Sequence, residues 1–206
     1  MEFIAYLEKL SSKAPVPGGG GASAIGGAIG NGLGQMVANL TIGKKKYAQW
    51  EPEIIRLLDR MGELQARFME LAEEDERVFA PLAEAYRLPS GTEEEKVYKE
   101  QVMEGCLHGA SLVPLEVMAT GMEMLEILEV LEQKGSVMAV SDVGVAVQFI
   151  RTAITGAAMN VFINTKSMAD RERAEELNRR AEELIWKGTE TADGIYSRVM
   201  ERLKER

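Results

Sequence analysis

The sequence predicts an all-α fold: one helical bundle of about six or seven helices, with a glycine-rich helix near its centre. Three observations carry that expectation. Apolar residues recur at three- and four-residue steps in segment after segment. No stretch reads as a strand, an internal repeat or a linker, so residues 1–206 form a single expected domain. Proline, glycine and capping residues fall where the periodic segments start and stop.

The elements follow in order. Phe3, Ile4, Leu7 and Leu10 predict a short first helix. A second helix is expected from near Gly21 to about Leu40. Ala22, Gly26, Gly30 and Gly34 form a small-residue stripe there, with Ile25, Ile29, Leu33 and Met36 beside it. Glycine costs roughly 1 kcal/mol against alanine inside a helix, and close backbone packing would offset that cost; hence the expected central position. Pro52 suits the first turn of a long third helix, whose stripe runs Ile54, Leu57, Met61, Leu64, Phe68, Leu71, Val78 and Leu82. Arg87 to Gly91 end it. Thr92 and Glu95 predict a capping box for a fourth helix carrying Val102, Cys106 and Val113. Pro114 is expected to kink or divide that helix before Met118, Leu125 and Leu128. Ser141 reads as the cap of the next, whose buried stripe is Val143, Val147, Ile150, Ile154, Ala157 and Val161. Leu177, Leu184, Ile195, Val199 and Leu203 mark the last helix.

Composition narrows the function classes. The net charge is −9, which argues against a general nucleic-acid surface. The chain is 46% hydrophobic and 28% charged, a globular balance. A lone cysteine, Cys106, excludes an internal disulfide. His108 is the only histidine, so no clustered His/Cys metal motif exists and a metal-independent protein is expected. It lies off the neighbouring apolar stripe and is expected to be exposed or half-buried. Met1 to Leu10 carries Glu2 and Glu8 without an apolar core, which predicts a cytoplasmic location. The uncharged run from Ala14 to Gly43, followed by three lysines, mimics a membrane span. Asn31, Gln35 and Asn39 share one face of it and glycine is abundant, so the membrane reading is set aside. Most of the twelve methionines are expected to fill core gaps.

Chemistry concentrates where patterns break. Gly18 to Gly21 follow Pro17 and lead into a helix, so backbone N–H groups can approach an anion closely. Lys44, Lys45 and Lys46 offer a second place for negative charge, or simply cap helix carbonyls. Asp75 stands on the apolar stripe between Leu71 and Val78, and Pro81 frees the Arg77 carbonyl nearby. Such a carboxylate is either an acid–base group or a buried structural partner. Asp142 reads first as an acid favoured by a helix N-terminus. Asn160 and Asn164 lie one turn apart; they either satisfy core carbonyls or bind the amide-like edge of a heterocycle. The acidic runs 73–76 and 93–95 are expected to be solvated apart from Asp75.

Five pieces together resemble a known family. They are Pro15-Val16-Pro17-Gly18-Gly19-Gly20, the run Met36 to Tyr47 (MVANLTIGKKKY), Asp75 with Phe79, Ser141-Asp142, and Asn160 to Asn164 (NVFIN). In this order they resemble the formiminotransferase-cyclodeaminase C-terminal family, which includes formimidoyltetrahydrofolate cyclodeaminases and methenyltetrahydrofolate cyclohydrolases. The resemblance implies an all-helical homodimer acting on a folate, with or without a polyglutamyl tail, and no permanently bound cofactor or metal. It implies Asp75 as first choice for proton transfer and Asp142 as second. Pro17, Gly18, Gly19 and Gly20 would cradle the ligand, and Asn160 and Asn164 would orient the pterin. Asn39 would also contact substrate, and Lys44, Lys45 and Lys46 would receive glutamyl carboxylates. Gly21 departs from the serine expected after three glycines, and Val78 from an alanine. The implied activity is cyclodeamination of 5-formimidoyltetrahydrofolate, with cyclohydrolase activity as the alternative. A folate-binding module without turnover, or a protein-interaction bundle with the glycine helix as a seam, are the non-enzymatic readings.

Overall fold

In the computed structural model, which describes residues 2–205, six α-helices follow one another without a strand among the described residues. They are α1 (Phe3–Leu10), α2 (Gly19–Thr41), α3 (Glu51–Tyr86), α4 (Glu93–Lys134), α5 (Val140–Lys166) and α6 (Arg171–Lys204). Short 3₁₀ turns at Lys45–Tyr47 and Val137–Ala139 lead into α3 and α5. The stops obey local chemistry. Pro52 lies in the first turn of α3. Thr92 Oγ1 accepts from the Glu95 N–H while the Glu95 carboxylate accepts from the Thr92 N–H, the reciprocal box that the sequence predicts.

α2 packs against α5, α3 and α4, and α6 closes over α4 and α5. α2 and α5 run antiparallel: Ser23 meets Gly156, and Gly30 meets Ala146 and Ile150. A Cβ at Gly30 would lie 2.9 Å from the Ala146 carbonyl oxygen, so the two backbones touch as the small-residue stripe anticipates. The stripe is divided, however. Gly30 and Gly34 face neighbours, whereas Ala22 and Gly26 border an open face that exposes Ile29, Met36 and Leu40.

Several expectations change. The apolar residues that mark α1 mostly point outward: Phe3, Ile4 and Leu7 are exposed, Leu10 is half-buried, and Tyr6 is the buried side chain. Ser141 is no cap. α5 starts at Val140 with Ala139 before it, because a 3₁₀ turn, in which the Ala139 N–H donates to the Ser136 carbonyl, already prepares the helix. Pro114 does not divide α4, which runs unbroken to Lys134. A proline at 114 leaves the Ala110 carbonyl without its helical donor, and Asn164 Nδ2 donates to that oxygen at 3.0 Å. His108 is half-buried, as expected. Among the described residues the segment long and apolar enough to span a bilayer is Val137–Lys166, not α2, and half of it is buried by its neighbours.

Candidate active site

The first turn of α2 meets the middle of α3. Asp75 turns its carboxylate onto the glycine run, where Oδ2 accepts the Gly21 N–H at 2.8 Å. A Cβ at Gly20 would collide with the same carboxylate, so glycine there is what lets Asp75 reach the helix end. Burial pushes the Asp75 carboxyl above its ordinary range. The Gly21 N–H pulls it back in part, and the neighbouring Glu76 charge raises it further.

A cavity of about 200 Å³ opens beside this carboxylate. Gly18, Gly19 and Asp75 line it together with Asn160 and Asn164 from the last turns of α5, and Ala110, Phe79 and Ile163 complete much of the wall. Asn160 Nδ2 donates to Gly156 O at 3.2 Å, and Asn164 Nδ2 to Ala110 O. Each amide nitrogen thus gives one N–H to backbone and keeps a second, so each side chain can both donate to and accept from a ligand. Two amides and a carboxylate suit the amide-like edge of a heterocycle. Pro17 and Gly20 are buried behind the wall.

Two residues complete the picture. Tyr6 from α1 is 8% exposed, and its hydroxyl has no hydrogen-bond partner among the described residues. Burial raises its pKa, as do the charges of Glu76 and Asp75. Gly21 lies between the two groups: a Cβ there would be 3.6 Å from Asp75 Oδ2 and 3.8 Å from Tyr6 Oη. The departure from serine at position 21 therefore bears on Asp75 itself rather than on the loop's contacts with ligand. Tyr6 carries no local signal in the sequence, since the apolar residues around it point the other way. Ile163 could have been found inside the NVFIN piece.

The remaining candidates are elsewhere in the chain. Asn39, Lys44, Lys45, Lys46 and Asp142 cluster at the far end of the α2–α5 pair. The cause is the antiparallel packing: α5 places Asn160 beside the start of α2 and Asp142 beside its end, about 27 Å apart at 1.5 Å per residue. Lys44 Nζ donates to Ser136 Oγ at 3.3 Å, and Lys46 lies 5.4 Å from the centre of the Tyr47 ring. The Tyr47 hydroxyl accepts the Val137 N–H, tying the lysine turn to the start of α5. Among the described residues no carboxylate pairs with any of the three lysines.

A family model described as formiminotransferase-cyclodeaminase matches residues 2–183. The methenyltetrahydrofolate cyclohydrolase of Methylorubrum extorquens is 36% identical over 198 residues, covering 96% of this chain and 95% of the relative. The formimidoyltransferase-cyclodeaminase of Rattus norvegicus is 30% identical over 181 residues; the match covers 88% of this chain but 34% of that longer protein. A crystal structure of formiminotetrahydrofolate cyclodeaminase from Thermotoga maritima superposes with a TM-score of 0.82 at 27% identity, covering 99% of this chain and 96% of that one.

Proposed function

The chain belongs to the formiminotransferase-cyclodeaminase family, and on that premise we propose that it closes 5-formimidoyltetrahydrofolate to 5,10-methenyltetrahydrofolate with release of ammonia. The observation that carries this reading is the half-buried Asp75 carboxylate, set at a cavity that the side-chain amides of Asn160 and Asn164 also line.

The proton accounting needs one carrier. N10 bonds to the carbon of the protonated formimidoyl group, and Asp75 takes the N10 proton as the tetrahedral carbon forms. Asp75 then returns that proton to the exocyclic nitrogen. The bond from carbon to that nitrogen breaks and ammonia leaves with the electron pair. A cation enters and a cation remains, so the carboxylate stabilises both the entering and the departing species, while between them the proton rests on Asp75 and the tetrahedral carbon is neutral. A raised pKa suits the task, because the group must accept and release a proton near neutrality. Asn160 and Asn164 would hold the pterin edge through their side-chain amides.

The end-to-end match to the Methylorubrum cyclohydrolase favours a second reading at the same site. There, water bonds to the methenyl carbon as Asp75 takes one of its protons. The carbon–N5 bond breaks, N5 gains a proton as the new hydroxyl loses its own, and 10-formyltetrahydrofolate results, with one proton released. Neither route calls on a resident cofactor or metal. The test follows methenyl absorbance with 5-formimidoyl- and 5,10-methenyltetrahydrofolate as separate substrates, with ammonia measured alongside. Methenyl formation with matched ammonia is expected. Methenyl loss without ammonia selects the hydrolase, and no change with either substrate rejects both.

A further inference from the structure

α1 is built against its own composition. Its apolar side chains Phe3, Ile4 and Leu7 face outward. The side chain it buries is Tyr6, 8% exposed, whose hydroxyl has no hydrogen-bond partner among the described residues. A buried hydroxyl without a partner costs free energy that a phenylalanine in the same place would not. Packing alone therefore does not account for a tyrosine here. The second oddity is Gly21, in the first turn of α2. A Cβ at that position would have three polar neighbours: the Ala72 carbonyl oxygen at 3.4 Å, Asp75 Oδ2 at 3.6 Å and Tyr6 Oη at 3.8 Å. Glycine leaves a notch there between the tyrosine and the back of the carboxylate. Three polar walls suit one bound water, which needs about two to four such partners.

The chemistry of this corner fixes the direction of the hydrogen bond. Its titratable groups are Asp75 and Glu76 from α3 and Tyr6 and Lys9 from α1. Lys9 Nζ pairs with Glu76 at 2.9 Å, which ties α1 to α3 one residue from Asp75. α2 brings no charged side chain, and α4 and α5 line the cavity beside Asp75 with Ala110, Asn160, Ile163 and Asn164. Burial above all, with the charges of Glu76 and Asp75, keeps the proton on the Tyr6 hydroxyl. That group is thus a donor facing acidic neighbours. Asp75 Oδ2 has one donor among the described residues, the Gly21 N–H at 2.8 Å, and a carboxylate oxygen can accept a second. Tyr6 is not part of the cavity wall, so it meets Asp75 from behind and not the ligand.

We propose that Tyr6 is a positioning residue for Asp75: its hydroxyl donates across the Gly21 notch, through one bridging water, to Oδ2, and holds the carboxylate in the charged form that accepts a proton. The link between Tyr6 and Asp75 stands on the geometry; its part in turnover rests on the folate reading above.

Titration of Asp75 itself tests it. Isotope-labelled aspartate carboxyl carbons are followed by NMR in the ligand-free protein, and the Asp75 signal is the one that Asp75→Asn removes. Tyr6→Phe keeps the ring and should raise the titration midpoint by about one pH unit, the scale of a lost hydrogen bond to a charged group. Gly21→Ala puts a methyl in the notch and should act in the same direction without touching α1. Adding Gly21→Ser to Tyr6→Phe supplies a hydroxyl from the other side and should return the midpoint towards the wild-type value. Folate turnover should follow the same order. In Tyr6→Phe the acid limb of kcat/KM moves up with the midpoint, so the rate falls about tenfold on the acid side and the loss narrows as pH rises. A midpoint that stays put in both Tyr6→Phe and Gly21→Ala overturns the proposal, as does a uniform loss of rate at every pH. A midpoint that moves in a protein without folate turnover rejects the folate reading and leaves Tyr6 linked to Asp75.

Discussion

At the residue scale, the surroundings of Asp75 cost stability. Its folded pKa lies above the ordinary value because burial disfavours the charge. A carboxyl raised in this way binds more protons folded than unfolded. Its stabilising contribution is present below the unfolded pKa and is lost as pH rises through the folded one. At neutral pH the half-buried charge therefore opposes folding. Asp75→Asn removes that charge, keeps an oxygen to accept the Gly21 N–H, and cannot carry a proton. Its Tm at pH 7 is expected to equal or exceed that of the wild type, with the difference narrowing in acid, while turnover falls about 100-fold or more. A lowered Tm with near-normal turnover would make Asp75 a structural acid. Gly21→Ser is the gentler probe. The Cβ fits at ordinary contact distances beside Asp75 and Tyr6. A hydroxyl donating to the carboxylate favours its charged form, so the acid limb of kcat/KM should move to lower pH. An unmoved limb means that the titrating group is elsewhere.

At the element scale, the glycines of α2 differ in what they face. A Cβ at Gly30 would meet the Ala146 carbonyl of α5 at 2.9 Å, and backbone cannot swing aside. At Gly34 it would meet Met124 Cε at 2.6 Å and Met61 Sδ at 3.1 Å, the ends of pliable side chains. Gly30→Ala is accordingly expected to cost about 1–3 kcal/mol by overpacking. Gly34→Ala should be far milder, since repacking is offset by roughly 1 kcal/mol of helix propensity. Urea denaturation of the pair decides it; equal losses would show that α5 can shift bodily. The helices themselves were legible because a buried stripe has to repeat near every 3.6 residues. Asp75 was legible for the same reason, as a break in the stripe. The unbroken course of α4 was not. It depends on Asn164 donating to the carbonyl that Pro114 strands, a bond made across 54 residues of chain. Tyr6 stayed hidden because the outer side of α1 is the more apolar one.

At the scale of the whole molecule, the sequence offers candidates for chemistry but does not show which of them share an end. Gly18 to Gly20 and Lys44 to Lys46 flank one helix, and about 30 Å of rise separates them. Nothing local reveals that α5 runs back along α2 and carries Asn160 to one group and Asp142 to the other. The lysines are also freer than a capping role requires. None of their ammonium groups donates to a helix carbonyl among the described residues, and Lys45 has neither the serine contact of Lys44 nor the aromatic contact of Lys46. Lys45→Ala is therefore the cleanest probe of what this end binds. If it receives glutamyl carboxylates, the substitution should weaken triglutamyl substrate more than monoglutamyl substrate. The gap should shrink from low salt to 0.5 M salt, because exposed charges are already screened over roughly 8 to 10 Å at physiological ionic strength. Folding should be untouched, since the side chain is exposed and unpaired. KM for the two substrates across a salt series measures this directly. Equal, salt-independent losses would mean that the cluster acts on the protein's own structure and not on the ligand's tail.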